Sequence, residues 1–320
     1  MQTDEITLLC KVVDNFGDIG VAWRLCRRLA KIQSKYKICL VVDNMDAFNM
    51  IVDDASGIEI FQWNDYELCH EAFSNNDGER LQIILELFQC GRPDWMEHIL
   101  FDEKLNRTVQ IIMIDYLTAE KYAEDFHCLQ SLTRSAKVKK VNFMPGFTER
   151  TGGLIIDEEW EELPAYNKDG PVLEFTYKTK CAYLDKQKLP FMPQVQWDKM
   201  MKQCSVLFVR GEESMSRACL SGIPFVWQAY PQSEEYQLVK VRALLERMRP
   251  HFPPQDFEVV EKAWLTMNVE GPFNRLSDHT EFITNAPRLV PSFQSFALSL
   301  RKNGDLCSNL MTFIEKLAIM

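Results

Sequence analysis

The densest chemistry in the chain lies in Asp14-Asn15-Phe16-Gly17-Asp18-Ile19-Gly20. Two carboxylates beside two glycines can hold a cation through charge-assisted hydrogen bonds and take a proton from it. The glycines suit tight turns and close approach of a ligand. The competing use of either aspartate is to cap the helix that follows. A second cluster is Phe208-Val209-Arg210-Gly211-Glu212-Glu213-Ser214. Here Ser214 suits a helix N-cap, the backbone N–H groups of the helix start attract an anion, and Arg210 presents a planar fork suited to a diphosphate. An Arg–Glu ion pair without ligand is the alternative. In a third stretch, Phe175-Thr176-Tyr177, period-two spacing puts both rings on one face, either to stack on a base or sugar or to fill a core. Trp197, Trp227 and the run Pro224–Trp227 read as core.

These residues need elements to position them. Ile6–Val13 is an apolar run read as a buried strand. Val21–Ile32 is apolar at 22, 25, 26, 29 and 30 and basic at 24, 27, 28 and 31, the pattern of a helix with one buried face. Ile38–Val42, Leu81–Phe88 and Val109–Ile114 read as further strands, with Asp94–Leu100 and Ala119–Cys128 as helices. Glycines and prolines between 145 and 171 interrupt the pattern. It resumes with strands at Val172–Tyr177, Ser205–Val209 and Ile223–Gln228. Helices are expected over Trp197–Cys204, from Met215, over Glu234–Met248 and over Asn309–Leu317. Strands alternating with helices predict parallel sheets covered on both faces, whose strand ends carry the ligand loops. The expected domains are 1–155 and 165–300, with a C-terminal helix at about 305–320 returning to the first.

Composition narrows the function. With 36 basic and 46 acidic residues the net charge is −10, against a general binder of nucleic acid or anionic membrane. Ten cysteines without a C-x-x-C pair read as reduced core thiols, and five scattered histidines do not suggest zinc. Acids near the N-terminus and the lack of a long apolar run predict a cytoplasmic protein. G-x-G-x-x-G, G-x-x-x-x-G-K-[ST] and G-x-S-x-G are absent, as is the D-x-D of metal-dependent glycosyltransferases.

Taken in order, the motifs resemble the EarP family, the protein-arginine rhamnosyltransferases of elongation factor P. The resemblance rests on Asp14–Val21 followed by Trp23-Arg24-Leu25, on Tyr116–Glu120, Pro145–Thr148 and Thr151–Gly153, and on Arg210–Ser214, Pro224–Trp227 and Tyr230-Pro231-Gln232. It runs from about residue 6 to 250 and is less clear beyond. It implies an α/β GT-B glycosyltransferase, two Rossmann-like domains facing a central cleft. It also implies inverting transfer of rhamnose from dTDP-β-L-rhamnose to one arginine of elongation factor P, without metal or other cofactor.

By the same resemblance Asp18 matches the general base, Asp14 a second essential aspartate and Glu212 a catalytically important glutamate. Phe175, Tyr177, Gln194, Trp197, Arg210, Glu213 and Ser214 match donor-binding positions, and Phe16, Gly17 and Gly211 complete the expected nucleotide-sugar set. Three positions depart from the family pattern: Glu213 stands where Asp is usual, Lys178 where an acid is usual and Trp197 where Phe is expected. The alternatives are another metal-independent GT-B glycosyltransferase, a related nucleotide-sugar epimerase, or a binding module without turnover.

Overall fold

The structure is a computed structural model that describes residues 5–13, 16–74, 82–177, 192–269 and 276–319. Asp14 and Lys178 lie outside the described residues. The chain forms two compact units, residues 1–117, 122–155 and 305–320 in the first, 118–121 and 156–304 in the second.

The first unit alternates strands and helices: β1 (Glu5–Cys10), α1 (Gly17–Ile32), β2 (Lys37–Val42), α2 (Met45–Ile51), β3 (Ile58–Gln62), α3 (Tyr66–Ser74), β4 (Ile83–Leu87), α4 (Asp94–Leu100), β5 (Val109–Ile114), α5 (Tyr122–Phe126), β6 (Gln130–Ser131) and β7 (Val138–Phe143). The sheet runs β3-β2-β1-β4-β5-β7-β6, parallel except for β6 on β7. Central strands such as β1 and β2 are apolar nearly throughout because helices bury both faces. Ile6, Leu8 and Cys10 join Trp23, Leu25 and Leu29 of α1 on one face, while Leu9 joins Phe73, Trp95 and Met96 on the other.

The last described helix, α11 (Leu306–Ile319), also belongs to this unit. Leu306, Leu310 and Ile314 enter the core beneath α1. Polar contacts fix the junction: the Leu306 N–H donates to the Leu154 carbonyl at 2.8 Å, and Arg28 pairs with Asp305 at 3.2 Å.

The second unit contains β8 (Val172–Glu174), α6 (Gln194–Lys202), β9 (Val206–Arg210), α7 (Glu212–Ser221), β10 (Phe225–Gln228), α8 (Gln237–Met248), α9 (Pro254–Asn268) and α10 (Leu276–Lys302). Its described strands form a parallel sheet in the order β10-β9-β8. Helix α9 is tied to β10 by side chains: Trp264 Nε1 donates to the Phe225 carbonyl at 2.8 Å and Asn268 Nδ2 to that of Trp227 at 2.7 Å. Trp227 is buried in this core.

Several element limits differ from the sequence expectation. The first strand stops at Cys10 instead of Val13, and the helix expected from Val21 starts at Gly17. Asp18 therefore lies within the first helical turn, where a carboxylate favours the helix dipole. Gly17 and Gly20 are both helical, not turn residues as expected. The helix expected over Ala119–Cys128 contracts to Tyr122–Phe126. The helix expected from Glu234 starts at Gln237, after a 3-10 turn in which Glu234 and Glu235 have φ of 56° and 54°. Strands β3 and β7 were not anticipated. Seven of the nine described cysteines are buried, and all nine are free thiols.

Candidate active site

In the first sheet the direction of winding reverses between β1 and β4: the chain proceeds from β1 to β2 on one side and from β4 to β5 on the other. Loops leaving the carboxyl ends of two such strands diverge and open a crevice, the usual ligand position of an open α/β sheet. Asp18 stands at this place and is only 3 % exposed. Its Oδ2 accepts the Val13 N–H at 2.8 Å and its Oδ1 accepts the Tyr116 hydroxyl at 3.2 Å. Asp18 is therefore not a simple cap; Phe16 occupies the N-cap position of α1 and makes no side-chain capping bond. Burial pushes the nearby Cys10 thiol well above its ordinary range, and the Asp18 charge adds to this.

Tyr116 comes from the end of β5. Its ring stacks on Phe88 with centroids 4.5 Å apart and planes 19° from parallel. Phe88 and Gln89, at the end of β4, both have a left-handed φ of 54°. Such a backbone costs non-glycine residues about 1–3 kcal/mol each and persists only where surrounding contacts impose it. Those contacts are present: the Phe88 N–H donates to the Ile114 carbonyl at 2.8 Å, and Gln89 Nε2 donates to Asp115 Oδ2 at 2.8 Å. Asp115 Oδ1 in turn accepts the Tyr116 N–H at 2.8 Å. Sequence reasoning named Tyr116 only within a motif and did not single out Phe88, Gln89 or Asp115. The end of the β4 strand was the available signal, because it neighbours β1 at the winding reversal.

In the second unit the candidate donor residues gather at the end of β9. The Arg210 guanidinium lies 4.5 Å from the Phe175 ring centroid and 4.8 Å from that of Tyr177, and its Nη1 donates to the Thr176 carbonyl at 3.2 Å. The contacts of Arg210 among the described residues are thus two aromatic faces and a backbone carbonyl. The parallel register explains the meeting: the Phe175 N–H bonds the Phe208 carbonyl at 2.7 Å, two residues before Arg210 on the neighbouring strand. Trp197 of α6 meets the Phe175 ring edge-on at 4.7 Å.

Gly211 precedes α7 with φ 68° and ψ 173°, a conformation essentially confined to glycine. The helix starts at Glu212, and Ser214 is a buried residue inside its first turn. Ser214 is thus not the N-cap expected from sequence; Gly211 holds that position. The early N–H groups of α7 point out along the helix start, where the helix dipole favours an anion. Gln194, the first residue of α6, donates from Nε2 to Glu213 Oε1 at 3.3 Å, and Arg217 Nε lies 3.9 Å from the same oxygen. Glu212 opens α7 and is partly buried. Two further neighbours meet Tyr177: Gln228 Oε1 accepts its N–H at 2.7 Å, and Tyr230 packs edge-on against its ring at 5.3 Å. In the sequence Tyr230 stands only within a motif and Gln228 only as a strand end, neither with a site role.

Among the described residues no three His, Cys, Asp or Glu side chains converge as a metal site, and no helix is long and apolar enough to cross a membrane.

Comparison with known proteins bears on the whole chain. The profile of the family described as elongation factor P (EF-P) rhamnosyltransferase EarP matches residues 6–171 and 165–315, which extends the likeness past the point where the motifs fade. The chain is 25 % identical to a protein-arginine rhamnosyltransferase of Shewanella oneidensis, over 97 % of each chain. It is 27 % identical to one of Pseudomonas aeruginosa, over 82 % of this chain and 87 % of the relative. In structure it is similar to CalG4, the calicheamicin glycosyltransferase, with a TM-score of 0.52 and 11 % identity over 99 % of both chains. The fold is accordingly that of a GT-B glycosyltransferase built of two Rossmann-like units. With the family profile covering nearly the full length, the chain belongs to the EarP family of protein-arginine rhamnosyltransferases.

Proposed function

We propose that this chain transfers rhamnose from dTDP-β-L-rhamnose to the guanidino group of one arginine of elongation factor P, with inversion and without a metal. The observation that carries the reading is the buried Asp18 carboxylate at the winding reversal, held through both oxygens. An arginine acceptor is protonated, with a pKa above ~12, and its nitrogen lone pairs are delocalised. A fixed carboxylate answers both difficulties. It attracts the guanidinium, and it takes the proton from the attacking nitrogen as that nitrogen bonds to the anomeric carbon. The bond from that carbon to the diphosphate oxygen breaks on the opposite face, and dTDP departs with the electron pair.

Asp14 is assigned to orient the guanidinium beside Asp18, and Glu212 to hold sugar hydroxyls or the acceptor. Negative charge on the departing diphosphate is met by Arg210 and by the N–H groups of Glu212–Ser214 at the start of α7. Phe175, Tyr177 and Trp197 give the nucleotide aromatic faces, and Gln194 holds Glu213, which is one methylene longer than the family's usual aspartate. Phe16 and Gly17 border the Asp18 site. The base lies in the first unit and the donor contacts in the second, so each part is testable on its own residues. On this reading the enzyme modifies a translation factor and works beside it in the cytoplasm, with a protein as its acceptor.

The test is Asp18→Asn. Its side chain keeps the size of the original but cannot take the proton. Transfer is expected to fall by about 100- to 10,000-fold, the usual worth of a positioned base, while the variant stays folded and its dTDP affinity stays as in the parent. Full activity in the variant removes Asp18 as the base. A glycosyltransferase acting on another acceptor is the reading left if dTDP-rhamnose is consumed but elongation factor P is not modified.

A further inference from the structure

We propose that Tyr116 is a positioning residue for Asp18, fixing the direction from which its carboxylate takes the acceptor proton; this rests on the rhamnosyltransferase reading above. The Asp18 plane is set from two sides. Val13 N–H holds Oδ2 from within the β1–α1 loop, and the Tyr116 hydroxyl holds Oδ1 from the end of β5, 98 residues away. Donors on both oxygens restrain rotation of the carboxylate about its Cβ–Cγ bond, and Tyr116 is the side-chain donor among these two.

The hydroxyl is itself held from both ends of the residue. The ring lies flat on Phe88, and the Tyr116 N–H is bonded to Asp115. Beneath it are two consecutive non-glycine residues with left-handed backbone, Phe88 and Gln89. Strained backbone of this kind is concentrated where a side chain must be aimed. Tyr116 nevertheless remains 41 % exposed, although Asp18 beneath it is nearly inaccessible. A half-exposed ring contributes little to a core, so its support by a strained shelf, a stacked ring and an anchored amide is better explained by what its hydroxyl does. In proton transfer Tyr116 keeps its own proton: the guanidinium proton passes to Asp18, and the hydroxyl goes on donating to the carboxyl oxygen it already holds.

Tyr116→Phe deletes the hydroxyl and retains the ring on Phe88. The full-length variant and its parent are assayed side by side with elongation factor P and dTDP-β-L-rhamnose, with dTDP affinity and thermal unfolding measured on the same preparations. The expected result is a kcat lower by about 10- to 100-fold, with donor KM and dTDP affinity unchanged, and a folded variant whose unfolding temperature falls only by the worth of one hydrogen bond to a charged group. An unchanged kcat overturns the proposal. So does a loss of kcat that comes with an equal loss of donor affinity, since that marks a merely structural tyrosine. If the parent transfers no sugar while binding dTDP, the rhamnosyltransferase reading itself fails, an outcome distinct from an active parent with an equally active variant.

Discussion

Gly211→Ala separates the conformation of the donor loop from its contacts. Gly211 has φ 68° and ψ 173°, and a Cβ built there approaches only the Tyr177 hydroxyl, at 3.8 Å, an ordinary contact. Space is therefore available, and the cost of alanine is torsional, about 1–3 kcal/mol. If the loop holds its shape, that cost appears as stability. For a unit of this size about 1 kcal/mol lowers the unfolding temperature by ~2–4 °C. If the loop instead relaxes to negative φ, the start of α7 turns and the N–H groups of Glu212–Ser214 lose their aim. Stability then recovers and dTDP affinity falls. Differential scanning fluorimetry and calorimetric titration with dTDP on the same variant measure both quantities. Gly57→Ala serves as the comparison. Gly57 also has a left-handed φ, 83°, and open space around it, but it lies in an exposed turn of the first unit. It is expected to lose stability without losing dTDP affinity. If Gly211→Ala leaves both unfolding temperature and dTDP affinity unchanged, the assignment of this loop as a constrained anion site is refuted.

Three further outcomes are expected. Arg210→Lys keeps the charge but loses the planar fork lying between Phe175 and Tyr177, so dTDP affinity should drop about tenfold or more by calorimetry while folding is retained. Gly152→Ala places a Cβ 2.6 Å from Phe143 Cε1 and 2.7 Å from Leu306 Cδ1, so these packed side chains must give way; a loss of about 1–3 kcal/mol in denaturant unfolding is expected. His127 is held below the ordinary histidine range by burial, and its Nδ1 accepts the Met144 N–H at 3.1 Å. A depressed value in the folded state means that its contribution is complete above the unfolded value near ~6.5 and is lost as pH falls from there through the folded value. Thermal melts below neutral pH should therefore show falling stability, and His127→Gln should flatten part of that slope.

The buried strands of the first sheet were legible because uninterrupted apolar runs such as Ile38–Val42 have few other uses. Strand β3 escaped because it is half exposed along most of its length, so Ile58–Gln62 shows neither a full apolar run nor clean alternation. Strand β7 is masked in the sequence by Lys139 and Lys140; both pair with β5, Lys140 also with β6, and Lys140 reaches Glu86 at 3.7 Å. The early start of α1 was missed because Gly17 and Gly20 read as a turn, whereas packing admits them as helix residues. The same bias placed Ser214 at a helix cap, when Gly211 supplies the conformation that starts the helix.

Within the candidate site, the strand expected over Val172–Tyr177 ends at Glu174, so Phe175 and Tyr177 are not set by strand alternation; both rings instead meet Arg210, which the register of β8 on β9 brings alongside. The pairing of Tyr116 with Asp18 has no local trace at all. It depends on β5 lying two strands from β1, and on a left-handed backbone at Phe88 and Gln89 that neither residue type announces. Long-range register and strain at non-glycine residues are the parts of this protein that periodicity does not encode.

The most direct test of the central claim is the intact mass of elongation factor P from the same organism after incubation with this protein and dTDP-β-L-rhamnose, with no metal added. The account predicts a single deoxyhexose increment, mapped by fragmentation to one arginine and absent with Asp18→Asn. An unmodified factor in the presence of a folded, dTDP-binding enzyme would contradict it.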